Sequence, residues 1–379
     1  MGSRLPMTAP TLPNGHVDKE TNEQTSESFD QVRDEVEPEE ALEQTRSIDN
    51  AESLASVSQP ATEPHGATIY HPLSVPLIVS LMPTAIVGLL TRLGLEAIAT
   101  YDGQSIFSLA WVQALGCLIM GLTLGLKESI GPFYGPLYTG ITTGFCGSLT
   151  TFSSWQLDIF LSWANKSHFH RDWFRDVIDG LSKTFFTLAI SLSSVTLGIH
   201  LSKPVARHFP VLRPPPVPVR RALTAACILT YVATIPVYFR LSPDFRHQTT
   251  SAMLFSFPGA LTRYILAVKV TPLVKLLPMG TLLANTSATA LLGMFHVLQR
   301  THALPSKIAC GILQGLIDGY CGCLSTVSTF AVEVGAMNAK KAWLYVGLSW
   351  SISQLLLLVI IGPSWWRGGI NEDRTCTFA

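Results

Sequence analysis

The chain writes nearly the same phrase twice inside apolar sequence. Gly144 to Trp155 reads GFCGSLTTFSSW, and Gly319 to Phe330, 175 residues later, reads GYCGCLSTVSTF. The Gly, Cys, Gly, Leu, Thr and Ser positions are shared, and Phe145 answers Tyr320. An internal repeat fixes architecture before any local feature does. Because both copies lie in apolar surroundings, the repeat implies one membrane-embedded half built twice. The pairing extends outward. Gly88-x-x-x-Arg92 recurs as Gly259-x-x-x-Arg263, and Gln113 stands eight residues before Gly121 as Asn285 stands eight before Gly293. That register sets one amide at the same depth in each half.

Hydrophobic residues make up 47% of the 379 and charged residues 14%, against about 25% charged in a soluble domain. A bilayer-spanning helix needs about 20 mostly apolar residues. Nine runs qualify: 74–95, 105–126, 135–162, 178–201, 221–239, 251–270, 279–298, 308–335 and 341–362. The fold class expected is therefore an all-α membrane protein. Two inverted four-helix repeats, 71–202 and 249–363, are joined by one linker helix within 203–248, and the third helix of each repeat is broken. The single extra crossing turns the second half over, a design common among transporters and channels. Pro-rich 204–218 ahead of the linker cannot be helical throughout, since proline removes a ladder donor. The short loops and the C-terminal tail put about ten basic residues on each side, so charge does not settle orientation. Only the 203–221 loop, with Lys203, Arg207, Arg213, Arg220 and Arg221, leans towards a cytoplasmic N-terminus. The sequon Asn165-Lys166-Ser167 would then face outward.

Zero net charge hides an asymmetry. Residues 1–70 carry 14 acidic and 4 basic side chains, leaving 22 basic and 12 acidic in 71–379. This tail is rich in Glu, Ser, Thr and Pro and cannot bury enough apolar area to fold. It also lacks the basic-then-apolar order of a secretory signal. Residues 364–379 form a second, short tail. The seven cysteines show no CxxC pair and no histidine at ligand spacing, so neither a disulfide nor a zinc site is expected. Gly121 to Glu128 lacks the GK[ST] ending of a phosphate loop, which leaves no sign of ATP-driven transport or of an enzyme.

A helix broken inside a membrane exposes backbone groups that protein or water must satisfy. Gly144, Gly147, Gly319 and Gly322, with their Ser/Thr neighbours, suit such breaks, and carbonyls from two inverted halves would hold a small hard cation such as Na⁺. The same residues equally suit close helix packing, as Gly140-x-x-x-Gly144 does. Gln113 and Asn285 each offer two N–H donors to a dehydrated anion, or simply hold helices together. Tyr345, Ser349 and Ser353 fall at i, i+4 and i+8, a hydroxyl stripe on one helix face. Phe152, Trp155 and Phe330 fill a core or turn positive ring edges to an anion. Arg92 and Arg263 either snorkel to the interface or face a vestibule. Glu333 and Asp318 flank the eighth span rather than centring on it.

The GFCGxLTTFS string, GTLLAN from Gly280 to Asn285 and PGALTRY from Pro258 to Tyr264 together resemble the signatures of the Fluc (CrcB) fluoride channels. The layout over 75–200 and 250–362 is similar to the fused eukaryotic form, FEX. The resemblance implies a passive channel exporting F⁻ from the cytosol across the plasma membrane. It implies two antiparallel four-helix units on one chain, a monomer acting as an internal pseudo-dimer whose partners are the lipid bilayer and fluoride, with no nucleic acid. It also implies a central structural Na⁺ on the backbone carbonyls of Gly147, Thr150, Gly322 and Ser325. The residues facing fluoride would be Asn285, Gln113, Phe152, Phe330, Tyr345, Ser349, Ser353, Thr151, Thr326 and Ser328. Two rings of the family's TTFSTF string line its pores. The first half supplies Phe152 and Trp155, the second Val327 and Phe330. If each pore draws one position from each half, Phe152 and Phe330 make a complete pair, whereas Val327 and Trp155 make a degraded one. One conducting and one vestigial pore are expected. A rival is an ion-coupled secondary transporter, which needs a titratable residue at mid-membrane. A non-transporting scaffold is another, and it gives no reason to duplicate donors at matched depth.

Overall fold

Every long apolar run becomes helix. The computed structural model describes residues 70–99, 107, 109–164, 172–208, 213–240, 248–274, 276–302, 305–371 and 374–376. The acidic tail, Tyr70 apart, and the Asn165 sequon lie outside them. Among the described residues there is no strand beyond one isolated bridge between Thr301 and Ile370. Helix α1 spans Val75–Ala99. Helices α2 (Ala110–Gly125) and α3 (Lys127–Phe133) form one apolar run bent by 76°. Helix α7 is Trp173–His208, α8 Val217–Arg240, α9 Gln248–Val270, α10 Met279–Leu298 and α14 Ala339–Trp366. Proline sits inside α1, α7, α8, α9 and α14 without ending them. Neighbouring membrane helices tolerate this by satisfying the freed carbonyls.

Seven helical stretches are long and apolar enough to cross a membrane, and the bent α2–α3 pair makes an eighth. The chain is a multi-pass membrane protein. The count expected from sequence was nine. The difference is the run at 135–162, which the structure divides into α4 (Gly135–Thr139), a π-helical stretch (Gly140–Cys146), α5 (Gly147–Leu149) and α6 (Phe152–Trp163). Each piece is too short to qualify alone. The second half repeats the division with α11 (Lys307–Gly315), a π-helical stretch (Leu316–Cys321), α12 (Gly322–Leu324) and α13 (Ser328–Ala336), yet Lys307–Ala336 as a whole still counts as one of the seven crossings.

The interruptions fall three residues beyond the glycines expected to make them. Gly147 (φ −69°, ψ −26°) and Gly322 (φ −65°, ψ −33°) keep helical backbone. The chain turns extended at Thr150 (φ −86°, ψ 145°) and Ser325 (φ −85°, ψ 157°). The glycines serve close approach instead. A β-carbon on Gly88 of α1 would strike Phe145 O, and one on Gly259 of α9 would strike Tyr320 O. Each first helix of a half therefore lies directly on its own π-helical stretch.

Helix α8, the expected linker, rests against α1 and α9 and buries only Thr234. Leu229, Val232 and Phe239 on it are exposed, as suits a helix surrounded by lipid. One expectation fails outright: Cys310 of α11 is disulfide-bonded to Cys376. After α14 the chain folds back on the end of α10, where Asn371 N donates to Arg300 O (2.8 Å) and Thr375 N to Gln299 O (3.1 Å). That return brings together cysteines 66 residues apart, and no local spacing signals it.

Candidate functional site

The two breaks meet at the centre, and each completes the other. Extended backbone at Thr150 and Ser325 leaves the first N–H groups of α6 and α13 without helical acceptors, as at any helix start. The hydroxyl of the opposite half takes them. Thr150 Oγ1 accepts from Val327 N (3.2 Å) and Ser328 N (3.0 Å), and Ser325 Oγ accepts from Ser153 N (3.1 Å). Thr150 and Thr326 hydroxyls lie 3.1 Å apart, and those of Ser153 and Ser325 2.9 Å. Capping by a hydroxyl contributes about 1 kcal/mol; here the caps run across the halves and join them.

The two amides hold these breaks from the side. Asn285 of α10 accepts from Thr326 N at 2.8 Å through Oδ1 and donates from Nδ2 to Thr326 O at 3.1 Å. Gln113 of α2 donates from Nε2 to Thr151 O at 2.8 Å. Each therefore uses one N–H on a carbonyl and keeps a second in reserve. The matched depth read from sequence corresponds to a matched donor contact, though Gln113 Oε1, unlike Asn285 Oδ1, is buried without a partner.

Rings from both halves converge beside α14. Phe152 and Phe330 are 5.4 Å apart between centroids, and Phe330 and Tyr345 are 5.0 Å apart. Trp155 packs edge-on against Phe152 at 5.4 Å, but its indole N–H is spent on Lys183 O at 3.1 Å. Val327 is fully buried. The hydroxyl stripe is buried too: Tyr345, Ser349 and Ser353 are each 0% exposed, and neither serine hydroxyl has a hydrogen-bond partner. A buried unpaired hydroxyl is costly, and a row of two beside the rings is a place where a small anion would be welcome.

One functional group escaped the sequence reading. Glu333 of α13 stands in this ring cluster, with Oε1 accepting from Thr281 Oγ1 at 2.6 Å and Oε2 from Tyr345 OH at 2.8 Å. Thr281 precedes Asn285 by one helical turn, so α10 presents both from one face. The clue in the sequence was the repeat itself. At the 175-residue offset Glu333 answers Asp158, and in the amide register Thr281 answers Leu109. In the first half Asp158 meets Lys183 Nζ at 2.8 Å. A lysine from α7 stands there where Tyr345 of α14 stands in the second half.

Arg92 and Arg263 do not snorkel: they are 2% and 4% exposed. Each crosses to the other half. Arg263 Nη1 donates to Gly147 O and Cys323 O, both at 2.5 Å, and to Ser325 O at 3.2 Å, while Nη2 donates to Thr143 O. Arg92 Nη2 donates to Asp318 O, the position equivalent to Thr143. Among the described residues no cluster of three or more His, Cys, Asp or Glu side chains could hold a metal ion.

A model of the CrcB-like protein family (camphor resistance, CrcB) matches the chain twice, over residues 79–199 and 250–362. Among curated proteins the chain is 30% identical over 319 residues to fluoride export protein 1 of Candida albicans, covering 78% of this chain and 82% of that protein. It is 34% identical over 305 residues to fluoride export protein 1 of Schizosaccharomyces pombe, covering 76% and 96%. With fluoride export protein 1 of Neurospora crassa it shares 29% identity over 350 residues, 76% of this chain but 66% of that longer protein, so it spans just under two-thirds of that relative's length. No solved structure matches.

Proposed function

The chain belongs to the CrcB family, and from that premise we propose that it is a passive fluoride-selective channel, not an enzyme, that exports F⁻ from the cytosol. The relatives' names supply the ion. The observation that carries the reading is the junction of rings and hydroxyls: Phe152 from one half, Phe330 and Tyr345 from the other, and the unpaired Ser349 and Ser353 further along α14. Fluoride is small and strongly hydrated, so it enters low dielectric only where donors and positive ring edges replace its water. Asn285, Gln113, Thr151, Thr326 and Ser328 line the adjoining breaks and extend the supply of donors.

The same contacts support a single conducting path. Along the second-half side, Thr281, Asn285, Phe330, Glu333 and Tyr345 act together with Phe152. Along the first-half side the counterparts are Leu109, Gln113, Trp155, Asp158 and Lys183, together with Val327. That side has exchanged a hydroxyl for a leucine side chain, a phenylalanine ring for valine, and the tyrosine contact for an ion pair. An ion pair and an apolar plug offer a passing anion little, so this side is vestigial. Charge in the 203–221 loop supports a cytoplasmic N-terminus, and a plasma-membrane location accords with export.

Glu333 favours a second reading. A carboxylate among the rings is the titratable group that a proton-coupled carrier needs. Efflux from proteoliposomes, read with a fluoride electrode, separates the two. A channel carries net charge, so release waits for a potassium ionophore, and chloride-loaded vesicles stay loaded. Full fluoride release without the ionophore would favour the carrier, and no fluoride release at all would sink both.

A further inference from the structure

The family likeness sets a sodium ion on the carbonyls of Gly147, Thr150, Gly322 and Ser325, and the atoms around those carbonyls do not fit one. Gly147 O and Ser325 O already accept from Arg263 Nη1, at 2.5 and 3.2 Å. The Arg92 guanidinium lies against Gly322 so closely that a β-carbon there would land on it, and the Arg263 guanidinium lies against Gly147 in the same way. A metal ion taking these oxygens would have to displace one guanidinium and stand beside another, away from water, where like charges repel most strongly. Two donors, Arg92 Nη1 and Arg263 Nε, are buried without a partner. They offer N–H groups to the interior, the reverse of what a cation needs.

We infer that the two guanidiniums are themselves the central cation of this protein. Arginine stays charged under all ordinary conditions, and its planar fork of five donors can serve several carbonyls at once. Arg263 does so across both halves, bonding Gly147 and Thr143 of the first and Cys323 and Ser325 of the second. Arg92 mirrors it on Asp318. Among the described residues no carboxylate is in ion-pair contact with either, but Glu96, one turn on along α1, and Asp318 both interact electrostatically with Arg92. It is Arg263, with no carboxylate acting on it, whose charge is left to act on the interior. The Gly-x-x-x-Arg pattern explains the placement. Gly88 and Gly259 bring each first helix onto its π-helical stretch, and one turn later the arginine reaches the π-helical stretch of the opposite half, just ahead of its break. In its purpose, drawing an anion inward, the inference rests on the channel reading; in its chemistry it does not.

The test is sodium content. The full chain, purified throughout in potassium buffer, is analysed by atomic emission, and its melting is followed with and without added NaCl. The expected result is no stoichiometric sodium and a midpoint that treats Na⁺ and K⁺ alike. One sodium per chain, or a midpoint raised by Na⁺ but not by K⁺, overturns the inference. Arg263→Gln frees Gly147 O and Ser325 O. It should cut fluoride efflux by about tenfold or more, the worth of a charged hydrogen bond, and its melting should become sensitive to Na⁺. A variant as active as the parent and indifferent to sodium also overturns the inference. Should that variant fail to fold, the parent's sodium content decides alone. Loss of fluoride efflux in the parent would count against the channel reading and leave the sodium measurement standing.

Discussion

Gly322 is one of the least replaceable residues in the chain, because the space where its side chain would be is filled by Arg92 from the other half. Gly322→Ala forces the guanidinium aside and should destabilise the protein by about 1–3 kcal/mol, the usual cost of overpacking. Gly335→Ala, where nothing lies within 4 Å, should leave the melting temperature in detergent unchanged. Equal effects from the two would remove the argument for the buried guanidinium. The recurrence of Gly-x-x-x-Arg was legible in the sequence, but its target was not, since Arg92 meets a carbonyl 226 residues away. Glu333 was set aside for a related reason. Its role depends on Thr281, 52 residues back, and Tyr345, 12 residues on, closing over it. Tyr345→Phe keeps the ring against Phe330 and removes only the hydroxyl. Fluoride efflux should fall about tenfold, the scale of one hydrogen bond to a charged group, while folding is retained. Unchanged efflux would take Tyr345 OH out of the path.

At the scale of elements, the broken third helices were foreseen as broken but misplaced along the chain. Glycine is the usual breaker, so sequence reasoning put the interruption there. The actual interruption lies where a hydroxyl can donate to its own helix, Thr150 to Cys146 O and Ser325 to Cys321 O, while accepting the first N–H groups of the opposite one. A single helix considered alone does not reveal that gain. Thr150→Val removes the acceptor for Val327 N and Ser328 N, and Ser325→Ala removes that for Ser153 N. Each should lower stability by about 1 kcal/mol. Chemical unfolding in detergent measures the loss, and Thr196→Val on exposed α7, whose hydroxyl bonds only its own helix, should cost much less. The disulfide between Cys310 and Cys376 stayed hidden for the opposite reason. It needs the C-terminal segment to turn back on α10, and that turn leaves no periodic trace.

At the scale of the molecule, the two family-matched segments hold each other by paired contacts, and the proposed single path requires them to differ along their two sides. Symmetry survives where the halves hold each other: Arg92 with Asp318 O answers Arg263 with Thr143 O, and Thr150 with Ser328 N answers Ser325 with Ser153 N. It fails along the two sides, where a carboxylate is met by Tyr345 in one and by Lys183 in the other. Structural contacts constrain both halves at once, whereas a pore can be lost from one side if the other still conducts. The consequence is an asymmetry of mutational response. Phe330→Ile removes the ring at 5.4 Å from Phe152 and 5.0 Å from Tyr345, and should abolish most fluoride efflux. Val327→Phe and Trp155→Phe rebuild the rings on the other side and should change efflux little, because Leu109 and the Asp158–Lys183 pair still close it. Lys183→Met breaks that pair. It leaves a mostly buried Asp158 without its counter-charge and should lower stability by about 2–4 kcal/mol, towards the cost of breaking a buried pair, with no gain in efflux. Should Val327→Phe or Trp155→Phe alter fluoride flux as strongly as Phe330→Ile, both sides conduct, and the divergence of the halves must have another cause.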